Sequence, residues 1–179
     1  MTIGGTTSGI DAGDYTASFI PKIDYRWSDG TTTEKIVSWS INKAVGTLTV
    51  SESSITLNTD NPNTIITVGG DWDGDVSVQS NAPEIATASV RTQDGITYID
   101  VSSVNQTSGQ ATITVSCTAG MNYSAPANKT IEVTAEFISS VLNDNSWAAI
   151  RSVSEEGVSS NYWAVGDCKA ITINGTVGV

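Results

Sequence analysis

Three carboxylates alternate around a glycine in Asp71-Trp72-Asp73-Gly74-Asp75. Oxygen ligands at alternate positions about a tight glycine turn are how short calcium loops are built. Asp71, Asp73 and Asp75 are therefore the candidate metal ligands, and calcium is the one cofactor this chemistry admits. No Glu follows at the spacing that closes an EF-hand loop. Asp also serves plain turns, because it accepts hydrogen bonds from its own backbone N–H groups and tolerates left-handed geometry. The plain turn is the favoured reading.

Aromatic side chains offer a second kind of chemistry. Trp27, close in sequence to Tyr25 and Trp39, and the pair Tyr162-Trp163 with Asp167 could each form a flat surface for a glycan or a partner. The competing reading places such rings in a core, since Trp and Tyr bury large areas and need one polar partner each. Trp39 alternates with Ser38 and Ser40, which favours the core. Trp163 and Val165 would similarly pack on Trp147 and Ile150, with Gly166-Asp167 as a turn.

Catalysis has no foothold. The chain contains no His, so no Ser–His or Cys–His pair exists, and the acidic residues sit in turn-like contexts rather than as a facing pair. The expectation is a protein that is not an enzyme. Cys117, in the strand-like ATITVSCTA, reads as a small buried hydrophobe. Cys168 lies far from it in sequence, and zinc is excluded by the ligand set.

The elements that position these residues read as strands. Of 179 residues, 39% are hydrophobic and only 15% charged, enough to bury a core. Nineteen acidic against eight basic residues give a net charge of −11, which disfavours nucleic acid and anionic membrane surfaces. No apolar run reaches the roughly 18 residues of a membrane span. MTIGGTTSG lacks the pattern of a secretory signal, so the chain is expected to be cytosolically made, carried out by another assembly, or cut from a longer precursor.

Three segments follow from the patterning. Residues 1–47 contain DAGDYTASFIP, in which a Tyr enters an alternating strand as at a late corner of an immunoglobulin-type sandwich. Asp29-Gly30 is a hairpin signal, and EKIVSWSI is another strand. The segment is expected to be an incomplete sandwich, with edges unpaired by this chain. Residues 48–137 alternate through LTVSESSITL, NTIITVGG, VSVQS and EIATASVRTQDGITYIDVSS, with Asp94-Gly95 as a hairpin tip, then QATITVSCTA and KTIEVTAEF. Turn signals every 8–12 residues mark an all-β sandwich. Residues 138–179 hold a short helix, capped by Asn145 or Ser146 and stopped at Gly157, then one further strand. Gly120-Met121-Asn122-Tyr123 echoes Gly13-Asp14-Tyr15, as if each were the corner of one repeat.

DAGDYTASFIPK, YRWSDGTTTEKIVSWSI, SESSITL and AGMNYSAPANKTIEV resemble bacterial immunoglobulin-like repeats of the Big2 group, found in surface adhesins and tailed-phage structural proteins. SWAAIRSVSEEG and NYWAVGDCKAITING resemble the front part of a domain of unknown function common in Firmicutes prophage and surface proteins. The resemblance implies an immunoglobulin-like β-sandwich preceded by an incomplete one and followed by a partial C-terminal domain. It implies a structural or host-attachment protein of a phage tail or related particle, located on the virion, or alternatively an adhesin on the bacterial surface binding carbohydrate or protein. Other copies of the chain, neighbouring particle proteins and a host-wall glycan or surface protein are the partners it implies. An accessory module of an enzyme is a third, weaker expectation. Some surface domains of this kind carry Lys–Asn cross-links, for which Lys22, Lys43 and Lys129 are the available lysines.

Overall fold

The computed structural model describes residues 1–173 and 176–178. In chain order the strands are β1 (Thr2–Gly5), β2 (Gly13–Ile20), β3 (Lys35–Ile41), β4 (Thr49–Val50), β5 (Ser54–Asn58), β6 (Asn63–Gly69), β7 (Val76–Ser80), β8 (Ala86–Gln93), β9 (Ile96–Ser103), β10 (Gly109–Cys117) and β11 (Lys129–Glu136). Helix α1 (Trp147–Glu155) follows, then a short antiparallel pair, β12 (Ile171–Ile173) and β13 (Thr176–Gly178). No described helix is long and apolar enough to cross a membrane. The chain divides into two compact units. One comprises Met1–Thr49, Gly69–Ser77 and Ser116–Lys129; the other comprises Val50–Val68, Val78–Val115 and Thr130–Val179.

The second unit holds most residues of the sheets β5-β11-β10-β7 and β4-β6-β9-β8, and with them the core of an all-β sandwich. Period-two alternation explains why these strands form. Ile113 and Val115 of β10, Ile131 and Val133 of β11 and Leu57 of β5 point inward, opposed by Ile66, Ile99 and Val101 of the other sheet, all fully buried. Each such side chain contributes about 1.5–3 kcal/mol by leaving water. The intervening Thr, Ser and Glu residues face outward. β8 and β9 are joined by Asp94-Gly95, with φ of 53° and 78°, the two positive values a type I′ turn requires. β5 runs parallel to β11, from Ser54 opposite Glu132 to Asn58 opposite Glu136.

In the same unit, α1 begins where Ser146 accepts the Ala149 N–H and ends two residues before Gly157, which has φ of 75°. Val153 is its buried residue. Val165 is fully exposed and Trp147 is mostly so, which corrects the expectation that they pack together. The Gly166-Asp167 turn does form, with Asp167 accepting the Ala164 N–H at 2.7 Å.

The first unit contains the antiparallel sheet β1-β2-β3. Its registers place Ile3 opposite Phe19, Tyr15 opposite Trp39 and Ala17 opposite Val37, so one face is apolar. Tyr15 and Trp39 stack with ring centroids 4.5 Å apart. The Tyr15 hydroxyl donates to the Asp11 carbonyl at 2.7 Å, the bond by which a tyrosine corner pins a strand entry. Asp29-Gly30 forms a tight turn in the connection between β2 and β3, where the Gly30 N–H donates to the Trp27 carbonyl. The Trp27 N–H donates to the Thr31 carbonyl across the turn, and the Asp29 carboxylate accepts from Thr31 and Lys35.

Candidate functional site

The Asp71–Asp75 loop lies in the first unit, and it is knitted to two other loops of that unit. Asp71 exchanges backbone and hydroxyl hydrogen bonds with Thr47, and Asp75 does the same with Thr118. The Asp73 carboxylate accepts the Asn122 N–H at 2.6 Å and the Tyr123 N–H at 3.1 Å. Both its oxygens thus serve a backbone nest. Gly120 is obligatory beside it, since a Cβ there would fall 1.9 Å from Asp73 Oδ1. Among the described residues, no three His, Cys, Asp or Glu side chains come together as a metal site. Asp73 through its carboxylate, and Asp71 and Asp75 through their backbone groups, thus fasten this loop to its neighbours.

Asn122 continues this network. Its Oδ1 accepts the Ala12 N–H at 2.7 Å, and its Nδ2 donates to Asp11 Oδ1 at 2.9 Å. Its backbone carbonyl accepts the Ala44 N–H, while Lys43 donates to the Gly120 carbonyl at 2.6 Å. The Gly120–Tyr123 loop is thus a socket for the Tyr15 corner. The two corners are partners in one network, and Tyr123 itself forms only an isolated bridge to Ala44. Lys43 spends its ammonium on a carbonyl and not on an Asn side chain.

Trp27 donates its indole N–H to the Thr33 carbonyl, with the Lys35 ammonium over its ring. Asp29 accepts from Lys35 at 2.6 Å and from the Thr31 hydroxyl and N–H, and these donors hold its carboxyl well below the usual carboxylate range. Tyr25 is 70% exposed, so it plugs no core. Trp39 lies half-buried in its stack with Tyr15, its indole N–H on the Thr6 carbonyl. Sequence spacing favoured a core because it records alternation but not whether a second layer covers the sheet.

In the second unit, Tyr162 and Trp163 sit 6.0 Å apart and tilted, with the Trp163 indole donating to the Ser139 carbonyl. Asn145, 4% exposed, holds this segment. Its amide accepts from the Ser139 N–H and donates to the Ser139 and Val141 carbonyls. Lys169 reaches the Asn143 and Asn145 carbonyls and lies over the Trp147 ring. A cleft of about 510 Å³ opens beside α1, with Tyr162, Phe137 and Val153 on its walls and the carboxylates of Asp60, Glu136, Asp144 and Glu156 around it. Among the described residues, no Lys or Arg lines it. Its volume is that of a small-ligand site, and Tyr162, but not Trp163 or Trp27, contributes to it.

No protein-family model matches the chain, and no curated protein matches it. Among solved structures it is similar to surface layer protein SbsC, domains 1–6, with a TM-score of 0.44 and 16% identity. The likeness covers 93% of this chain and 24% of that one, so the chain spans about a quarter of that structure's length.

Sequence reasoning missed Asn122, Asp11 and Asn145. Their partners are carbonyls and N–H groups of other loops, which residue types alone do not name. A signal for Asn145 was present, since it stands directly before the helix cap. It was considered there only as a cap.

Both cysteines are free thiols, Cys117 buried and Cys168 exposed. Burial pushes the Cys117 thiol up, opposed by the Gly74 N–H and reinforced by the Asp75 and Asp73 carboxylates.

Proposed function

We propose that this protein is a structural or host-attachment component of a phage tail or related particle, built from immunoglobulin-like modules that meet other copies or neighbouring particle proteins. The reading is non-catalytic, and its work is spacing, stiffening and presenting surface. One observation carries it. The β1-β2-β3 sheet has an apolar face on which Ile3 and Val37 remain about half exposed, and it has edges that no described strand pairs. Such a layer is half of a sandwich, and burying it requires a partner. The resemblance of DAGDYTASF and the neighbouring motifs to bacterial immunoglobulin-like repeats supports the same reading.

A second reading, a bacterial surface adhesin, is favoured by the cleft beside α1, whose carboxylates and Tyr162 suit a polar ligand. Immunogold labelling with an antibody to the chain separates the two. Gold on particle tails is the expected result, gold on the cell envelope supports the adhesin, and gold confined to the cell interior overturns both. Binding of the isolated chain to an array of cell-wall glycans would add weight to the adhesin.

A further inference from the structure

Among the described residues, no strand pairs with the outer edge of β3. Its seven residues, KIVSWSI, contain no Pro, no Gly and no bulge, and the single charge is Lys35 at one end. Natural sheets blunt such edges with mid-strand charge, Pro, short length or a cover. Two other edges of this protein show such devices. β1 is four residues long and ends in two glycines, while β8 carries Arg91 in mid-strand. β3 does not follow it, and it leaves Ile36 68% exposed and Val37 50% exposed.

The geometry points to β3 as a homotypic contact, in which β3 of one copy adds antiparallel to β3 of a second copy about a two-fold axis at Ser38. The strand is complementary to itself in that register. Ser38 meets Ser38, Val37 meets Trp39 of the other copy, Ile36 meets Ser40, and Lys35 meets Ile41. No like charges are opposed. The side-chain period of two keeps Val37, Trp39 and Ile41 on one face in both copies, so the apolar face carried by Tyr15, Ala17 and Phe19 continues across the seam, with Lys35 on that face at each end of the ladder. A two-fold contact is also the commonest way for identical chains to close on each other. A seven-residue ladder buries less than the roughly 800 Å² per partner of a standard interface, which places the dimer in the weak, concentration-dependent class.

This contact names the partner for the assembly reading above and rests on it, but its test is separate. A monomer in solution would remove the homotypic contact while leaving the particle location to the labelling experiment. The test is light scattering of the full chain, from about 1 to about 500 µM, a range chosen for weak interfaces, together with S38K and S38E. Ser38 is exposed, so neither substitution touches a buried group. The wild type is expected to move from one to two chains per particle as concentration rises. Each variant alone places two like charges face to face and weakens dimerisation tenfold or more. An equimolar mixture of S38K and S38E restores dimers, which also demonstrates that both variants are folded. A wild type that stays monomeric throughout overturns the proposal. So do single variants that dimerise like the wild type, or a mixture that remains monomeric.

Discussion

Replacing Asn122 by Ala should loosen the Tyr15 corner, and the structure fixes how much. The substitution deletes one neutral hydrogen bond, from the Ala12 N–H, and one to a charged group, the Asp11 carboxylate. Neutral bonds contribute about 0.5–1.5 kcal/mol and charged ones about 1.5–3 kcal/mol. Because the cluster is only partly buried, the lower end applies, giving about 2 kcal/mol, or roughly a thirtyfold rise in the open population. N122D is the sharper perturbation. It keeps an acceptor for the Ala12 N–H but turns the atom facing Asp11 into a second carboxylate oxygen. Like charges at that separation repel, and one carboxyl of such a pair has its pKa raised in the folded state. The variant should therefore be less stable than N122A at pH 7 and recover as pH falls through that raised value, when one carboxyl takes a proton and donates it across the gap. Amide hydrogen exchange of residues 13–20, at pH values on both sides of the recovery, reads the effect directly. Protection of β2 that changes less than threefold in N122A, or an N122D variant as stable as wild type at pH 7, would refute the reasoning.

Asn145→Ala removes three hydrogen bonds from a buried amide and should cost about 2–3 kcal/mol. The loss is confined to residues 138–170, seen as faster chymotryptic cleavage at Tyr162 and Trp163 with β10 still protected from exchange. Titration with a thiol reagent at neutral pH should find one reactive group in the folded protein, Cys168, and two after denaturation; rapid labelling of Cys117 in the native state would contradict its burial. Asp29 has its folded pKa depressed, so its contribution to the loop is present above the unfolded value of about 3.9 and is lost only as pH falls through the lower folded value. Carboxyl NMR should show Asp29 still ionised at pH 3 and K35M moving its midpoint back up; a wild-type midpoint near 3.9 would count against the Lys35 contact.

Sequence signals and structure agree where local chemistry decides. Asp94-Gly95 supplies two positive φ values and nothing distant competes for that turn. Ser146, through its side-chain oxygen, and Gly157, through its positive φ, bracket α1 by local capping. QATITVSCTA and KTIEVTAEF read as strands, and their alternation turns Ile113, Val115, Ile131 and Val133 to the buried face. The site residues were less legible. Asp73 looks like a metal ligand in its own pentapeptide, and its role depends on N–H groups 49 and 50 residues away. Asn122 binds groups 110 and 111 residues away. Tyr25, Trp27 and Trp39 carry the composition of a core, yet Tyr25 is 70% exposed and Trp39 only half-buried, because alternation does not record what covers a sheet.

The parallel pairing of β5 with β11 bears on how the sandwich carries tension. The chain enters this pair at Ser54 and leaves it at Glu136, at opposite ends of a five-residue ladder. A pull on those two points slides the strands along each other, so the ladder bonds are strained together and must fail together. Had the strands been antiparallel, the same pull would have opened the bonds singly from one end. Single-molecule extension from residues 53 and 137 should show one abrupt rupture of this module, and a gradual, low-force opening would contradict that loading geometry. The sandwich is thus oriented to act as a tensile link, a mechanical property set by strand direction and independent of any ligand.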